Sequence, residues 1–458
     1  MKSEVGIIGL GAIGGAFLTN ISEKGFACIG YDKETSRYGR LRQRAKGAEF
    51  AVSLDEFFER LEKPRRVIMF LPHDKVDEAV ESLVSYLRES DVLIDAGNSH
   101  FLQTEKRISF FNARGLEFAG VGVSGGIEGA LKGASIMFGG KEETYRLFFE
   151  IFEASSAKFN GESCQALVGK GASGHLVKMV HNGIEYGLME LIAEVYQILR
   201  KAYGFSNSEI ANIFAVWNKG ELNSFLIEIT SKILHKKDNE TGQDLIDVIS
   251  DAADQKGTGK WTVKTAVDSN VAIPTIDAAV SMRIISSLRK QRERLASVFN
   301  KTKAEGASNL QIEALEKALL LGFIATYEQG FSLIRAVSRQ KGYDCDLAKI
   351  AKIWRAGCII RSGLLNKICR VFEDESNEIF ISRLFLEQVK EAYNDLKRVC
   401  VFALERGYPL MALTASFNYL NAISSLRLPT NLIQAQRDFF GNHGYERIDQ
   451  KGIFHTLW

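Results

Sequence analysis

The run "VGIIGLGAIGG" near the start of the chain passes from a short apolar stretch straight into Gly9, Gly11 and Gly14, spaced G-x-G-x-x-G. An amphipathic segment, "AIGGAFLTNISEKG", follows at once, so the text reads strand, tight turn, helix. A strand this apolar is covered on both faces and needs neighbours of its own kind. They follow in "FACIGYD", "RRVIMFLP", "DVLIDAGN" and "LEFAGVGVSGG", which alternate with amphipathic stretches up to about residue 170. Such alternation specifies a parallel α/β sheet.

Beyond Gly174 the alternation stops. Prolines almost vanish, and segments 176–203, 209–235, 275–300, 310–341 and 383–406 carry helical periodicity. The glycine-rich "VGKGASGH" marks the change. The reading is an α/β N-terminal Rossmann-like domain over 1–174, a large all-α domain over 175–438, and a short irregular tail over 439–458 that is glycine-punctuated and aromatic.

Asp32, at the end of the second strand, stands near the roughly 20-residue offset at which dinucleotide-binding folds place a ribose-binding acid. The glycines allow a tight turn and close approach to a pyrophosphate, which the helix N-terminus then stabilises. Gly9, Gly11, Ala12, Ile13 and Gly14 therefore form the candidate cofactor turn, with Asp32 and Lys33 at its ribose end. Asp32 accepts from a free 2′-hydroxyl and repels a 2′-phosphate, whereas Lys33 and Arg37 would neutralise that phosphate. Residue chemistry leaves NAD and NADP both open.

The opening segment of the helical part, "HLVKMVHNGIEYGLME" (175–190), sets Lys178, His181, Asn182 and Glu185 at i, i+3, i+4 and i+7 among Val177, Met179, Val180, Ile184 and Leu188. A helix apolar nearly all round is buried, and its polar stripe must face something that satisfies it. A ligand cavity does so; a Lys–Glu pair inside the core is the alternative, although two turns separate the two charges. "GVGVSGGIEGA" (120–130) ends a strand in Ser124, Gly125 and Gly126, which either offer N–H groups and a hydroxyl to an anion or simply turn the chain. Lys256, in the glycine-flanked "QKGTGK", suits a phosphate or plain solvent, and Arg283, interrupting "AAVSMRIISS", needs an anion or a salt bridge. Arg437 and His443, taken alone, read as an exposed surface pair.

Bulk properties exclude several classes. The 458 residues are 46% hydrophobic, which suits about two or three domains with full cores. Lys and Arg number 58 against 56 for Asp and Glu, so no basic field recommends a nucleic acid or a membrane. Cys28, Cys164, Cys345, Cys358, Cys369 and Cys400 include no CxxC and suit a reducing cytoplasm better than a zinc site or a disulfide framework. The first residues carry no secretory pattern, later apolar runs are too short or interrupted to span a bilayer, and no His/Asp/Glu cluster has metal-ligand spacing.

Together with "GNS" (97–99), "DQKGTGKWT" (254–262) and "LIQAQRDFFGNHGYE" (432–446), these blocks recur in the order found in one family. From about residue 5 to the end, the chain resembles the decarboxylating 6-phosphogluconate dehydrogenases of the pentose phosphate pathway. The related β-hydroxyacid dehydrogenases share the plan with a much shorter helical domain. The resemblance implies oxidation of 6-phosphogluconate to ribulose 5-phosphate and carbon dioxide with NADP or NAD and no metal. It makes Lys178 the general base and Glu185 the general acid. Ser124, Gly125 and Gly126 would hold the substrate carboxylate, with Asn98, His181 and Asn182 beside the hydroxyl-bearing carbons and Asn98 also near the cofactor. Tyr186, Lys256 and Arg283 would hold the phosphate. Arg437 and His443 would come from a partner subunit, which implies a homodimer with shared sites.

Some positions depart from the family pattern. Gly11 replaces a frequent alanine, "YDKE" (31–34) replaces an Asn-Arg-Thr that grips the 2′-phosphate, "LPHDK" (71–75) replaces the usual cofactor-contacting loop, and Ala96 replaces a glycine. The text after "FHTLW" also lacks the glycine-rich tail of longer members. Two rivals differ in what they would keep. A non-decarboxylating dehydrogenase need not retain Lys256, Arg283 and Arg437, and a non-catalytic dinucleotide sensor would be expected to lose Lys178 or Glu185; all five are present.

Overall fold

The computed structural model describes residues 2–255, 257–299, 310–374 and 378–458. The N-terminal part is built on an eight-stranded sheet comprising β1 (Val5–Ile8), β2 (Cys28–Tyr31), β3 (Ala48–Phe50), β4 (Arg66–Met69), β5 (Val92–Asp95), β6 (Glu117–Ser124), β7 (Ser135–Gly139) and β10 (Gln165–Gly169). A separate two-residue ladder, β8 (Lys158–Phe159) with β9 (Glu162–Ser163), interrupts the last connection. Sheet order is β10-β7-β6-β5-β4-β1-β2-β3. The chain therefore runs outward from β1 to β3 and returns to β4 on the other side. That reversal is a topological switch point, where α/β sheets bind ligands beyond the strand ends.

Strands β1 to β6 are parallel, which sends the residues after β1, β2, β4, β5 and β6 to one edge of the sheet. Gly9, Asp32, Leu71, Asn98 and Ser124 gather there for that reason. The sheet is not parallel throughout. β7 pairs antiparallel with β6, Gly120 opposite Gly139 and Ser124 opposite Ser135, because only the short helix Gly126–Lys132 joins them.

The helix Ser173–Lys201 opens the α part and is buried along most of its length. It packs against β6 and β7 on one side and against the helix Ile312–Lys341 on another, within one continuous apolar core. Its Glu194 carboxylate, buried, accepts the backbone N–H groups of Ala412 at 2.6 Å and Leu413 at 2.8 Å, so it caps the helix Met411–Ile423 from outside. Segment 209–235 divides into the helices Asn207–Trp217 and Phe225–Leu234. Each has its own serine cap, Ser206 in a capping box with Glu209 and Ser224 accepting from Ile227 N–H. Segment 275–300 likewise breaks at Leu288, between the helices Pro274–Ser287 and Arg289–Val298.

The stretch 439–458, expected to be irregular, is organised. The helix Thr430–Gly441 runs into it and ends at Asn442, and β11 (Tyr445–Glu446) pairs antiparallel with β12 (Ile453–Phe454). Buried Asp438 ties these pieces together. Its carboxylate accepts from Gly444 N–H at 3.0 Å, His455 Nδ1 at 2.9 Å, Thr456 N–H at 3.0 Å and Trp458 Nε1 at 3.0 Å. Those donors, His455 first, hold the carboxyl down at about 2. Among the described residues no helix is long and apolar enough to cross a membrane.

Candidate active site

A single cleft of about 1380 Å³ joins the sheet edge to the helical part. Its wall includes Gly9, Gly11, Ala12, Ile13, Gly14, Asp32 and Lys33, then Asn98, Ser124 and Gly126, and then Lys178, Asn182, Glu185, Tyr186 and Arg283. Gly125 and His181 stand directly behind that wall. Lys256 lies outside the described residues, and Arg437 and His443 sit apart on the exposed helix Thr430–Gly441 and the turn after it.

The polar stripe of the helix Ser173–Lys201 faces this cleft. Lys178 Nζ donates to Asn182 Oδ1 at 2.9 Å, and its closest charged neighbour along the stripe, Glu185, does not pair with it directly. Burial pushes the Lys178 ammonium below the ordinary lysine range, while the Glu185 charge pulls the other way. Glu185 shows the opposite shift. Burial raises its carboxyl above the usual carboxylate range, against the pull of Lys178 and then Arg283. Burial thus shifts Lys178 and Glu185 each toward its uncharged form.

His181 is fully buried, and burial together with nearby Lys178 holds its ring well below its ordinary value, hence neutral. A neutral ring that donates from Nδ1 to Asn182 Oδ1, 3.3 Å away, leaves Nε2 to accept the Ser124 hydroxyl at 3.1 Å. Trp354 meets the ring edge-on with centroids 5.6 Å apart. Gly125, at φ +126°, lies so close to Gly357 that a Cβ there would sit 2.4 Å from the Gly357 carbonyl oxygen. The loop 354–363 therefore backs both the Ser124 turn and His181.

At the far end, the Arg283 guanidinium stacks 3.5 Å over the Tyr186 ring and donates to the Asp254 carbonyl at 3.2 Å. It also donates to Met189 Sδ and makes no salt bridge among the described residues, although its charge reaches the carboxyls of Glu185 and Glu190. The structure thus offers an unpaired cation on the cleft wall where a salt bridge was the alternative. The helix Thr258–Asp268 starts beside it, and its Trp261 meets His73 at 5.2 Å and His100 at 5.4 Å, bridging to two loops of the sheet edge.

At the cofactor end, the helix Ala12–Glu23 begins without a side-chain cap and without an acid in its first turn, which leaves its N–H groups and dipole facing the cleft. Asp32 is less available than its spacing suggested. Its Oδ2 accepts Leu10 N–H at 2.7 Å and Arg37 Nη1 at 2.9 Å, and its Oδ1 accepts Glu34 N–H at 2.8 Å. The carboxylate fastens the fingerprint turn to the second strand. The loop carrying Asn98 is held similarly by a group that spacing alone does not reveal: buried Asp95 accepts Gly97 N–H at 2.9 Å, Ser99 Oγ at 2.6 Å and Arg107 Nη1 at 3.2 Å.

A family model described as the NAD binding domain of 6-phosphogluconate dehydrogenase matches residues 4–169, and the model of the 6-phosphogluconate dehydrogenase C-terminal domain matches residues 174–458. The chain belongs to the 6-phosphogluconate dehydrogenase family. Among relatives, the Bacillus subtilis NADP(+)-dependent, decarboxylating 6-phosphogluconate dehydrogenase is 42% identical over 466 residues, covering 100% of this chain and 99% of that protein. The decarboxylating enzyme of Haemophilus influenzae is 42% identical over 469 residues, covering 100% and 97%. The structure of Plasmodium falciparum 6-phosphogluconate dehydrogenase, solved in its apo form and in complex with NADP+ and with 6-phosphogluconate, matches with a TM-score of 0.96 at 37% identity, covering 99% of this chain and 100% of that one.

Several supporting residues of this family member carry no signal in the sequence taken alone. Trp354 and Gly357 act through contacts between distant segments, Asp95 and Arg107 through a buried network around the Asn98 loop, and no period or motif marks any of them. Among the described residues no group of three or more His, Cys, Asp or Glu side chains is placed to hold a metal ion.

Proposed function

We propose that this protein oxidises 6-phosphogluconate with NADP and releases carbon dioxide, yielding ribulose 5-phosphate. The observation that carries the reading is the pairing of Lys178 and Glu185, base and acid on one buried helix, in the same cleft as the fingerprint turn. Family membership and the named activity of its relatives support it.

The cleft suits a dinucleotide: the uncapped helix start can receive a pyrophosphate, and Lys33 and Arg37 on the wall can face a 2′-phosphate. A nicotinamide held there would supply the hydride acceptor for substrate C3. Lys178, whose ammonium form is disfavoured by burial, takes the proton of the C3 hydroxyl when uncharged. Once protonated, it stabilises the charge that develops on the C3 oxygen as the carboxylate is lost. Asn182 Oδ1 fixes where that ammonium points. Glu185, whose carboxyl the same apolar surroundings push up, gives a proton to C1 of the enediol. Ser124, Gly125 and Gly126 receive the substrate carboxylate, with Asn98, His181 and Asn182 along the carbon chain and Tyr186, Lys256 and Arg283 at the phosphate.

The reading includes a homodimer in which Arg437 and His443 complete the partner's site. Their exposure on a helix whose Leu432, Ile433, Phe439 and Phe440 are also exposed supports it. It keeps the divisions 1–174, 175–438 and 439–458, supported by the end of the last sheet strand at Gly169 and the start of the long helix at Ser173. A reducing cytoplasm is the proposed setting, supported by six unpaired cysteines.

The test follows reduced-nicotinamide absorbance with 6-phosphogluconate while carbon dioxide is trapped, with NADP and NAD in parallel. Equal yields of reduced cofactor and carbon dioxide are expected. Reduction without carbon dioxide would mark a non-decarboxylating dehydrogenase, and no reduction from a folded dimer would mark a dinucleotide sensor.

A further inference from the structure

Lys33 and Glu78 meet across the ribose end of the cleft. Lys33 Nζ donates to Glu78 Oε1 at 3.0 Å, and Lys75 Nζ lies 3.9 Å from the other oxygen of the same carboxylate. All three side chains line the cleft. Lys33 follows β2, whereas Glu78 stands in the first turn of the helix Val76–Leu83 that follows β4, so the pair bridges the two βα units that flank β1.

The other charges at this end are committed. Asp32 is 8% exposed and its two oxygens already accept from Leu10, Glu34 and Arg37. Arg37 is held between Asp32 at 2.9 Å and Glu34 at 2.6 Å. Lys33 differs: its side chain is 81% exposed and its one ion-pair partner among the described residues, Glu78, is 62% exposed. An ion pair this open exchanges partners readily. A carboxylate and a phosphate also seek the same ammonium.

We propose that Glu78 sets the NADP-to-NAD preference by occupying Lys33 as a resident anion. A 2′-phosphate must displace the Glu78 carboxylate to reach Lys33, and the dianion wins that exchange. A 2′-hydroxyl leaves the pair intact and can donate to Glu78. The preference is thereby set by a residue far from the fingerprint in sequence, and Asp32, the acid at the expected offset, serves to hold the turn. The inference rests on the dinucleotide reading above.

Direct titration of NADP+ and NAD+ into the full-length protein without 6-phosphogluconate tests it separately from turnover. Glu78→Gln should tighten NADP+ roughly three- to fivefold, the scale of one exposed ion pair, and leave NAD+ within about twofold. The gain should vanish in the Lys33→Ala background and shrink as salt is raised. Asp74→Asn, which removes another carboxylate of the cleft wall with no bond to Lys33, should change the ratio less. An unchanged ratio in Glu78→Gln, a gain that survives Lys33→Ala, or an equal gain from Asp74→Asn would overturn the role given to Glu78. Binding of neither dinucleotide by the wild-type protein would overturn the cofactor reading along with it.

Discussion

Asn182 Oδ1 lies 2.9 Å from Lys178 Nζ and 3.3 Å from His181 Nδ1, so one amide oxygen orients both the proposed base and the neutral imidazole beside it. The carboxamide does this without adding charge. In Asn182→Asp the new carboxylate would favour the ammonium form and raise the Lys178 pKa. Activity rises with pH as Lys178 loses its proton and falls again as Glu185 loses its own, because burial lowers the first and raises the second. The profile of kcat against pH is therefore expected to be bell-shaped, and Asn182→Asp should move the limb that reports Lys178 to higher pH. The two limbs belong to the coupled pair.

Lys178→Met removes the base and leaves an apolar side chain of similar length in an apolar wall. Turnover should fall by at least about a hundredfold, the lower range for loss of a general base. Titration with NADP+ should give near wild-type affinity, because Lys178 comes from the helical part and the fingerprint turn from the sheet. Appreciable turnover in this variant would remove the lysine from the mechanism.

The fingerprint glycines should respond unequally. A Cβ on Gly14 would sit 2.0 Å from the Gly9 carbonyl oxygen, which cannot move without opening the turn. A Cβ on Gly11 would meet only Arg37 Nη1, at 3.9 Å. Gly11→Ala is therefore expected to bind NADP+ within a few-fold of wild type. Gly14→Ala should lose most binding and lower the melting temperature. Dinucleotide titration and thermal unfolding of the two variants check the contrast.

The proposed sharing of sites between subunits makes a prediction about mixtures. Lys178→Met and Arg437→Ala homodimers are each expected to be inactive, one lacking its base and the other the arginine given to its neighbour. After subunit exchange, the mixed dimer holds one site with both residues intact, and about a quarter of wild-type activity should return if exchange is statistical. Size-exclusion chromatography confirms the assembly, and no recovery after verified exchange would place Arg437 outside the partner's site.

Much of this arrangement was legible in the sequence where short-range periodicity governs it. The runs that became β1, β2, β4, β5 and β6 are apolar because both sheet faces are covered, and the stripe from Lys178 to Glu185 is visible because a helix repeats every 3.6 residues. The chemistry of Arg283 was half legible: its need for an anion could be read, but not whether a carboxylate already met that need. Asp32 shows a different limit. Its position follows from the offset, yet its bonds to Leu10, Glu34 and Arg37 depend on how the turn closes.

What stayed hidden depends on contacts between distant segments. The break at 218–224 is set by Ser224, which caps a new helix inside a text that keeps its apolar period. The order of the tail comes from one buried carboxylate, Asp438, collecting four donors from residues 444–458. Gly357, backing Gly125 from more than two hundred positions away, belongs to neither motif.

The helix Ser173–Lys201 works as a ruler. Lys178 and Glu185 are seven residues apart on it, roughly 10 Å along the axis and on nearly the same face. Hydrogen bonds within the helix set that distance, and no shift of the sheet against the α part can change it. Opening or closing the cleft can alter what enters and how water leaves, but the span between the proposed proton acceptor and proton donor is already cut to length. A homologue working on a longer or shorter carbon chain would have to move one of the two residues to another turn; a looser hinge would not suffice.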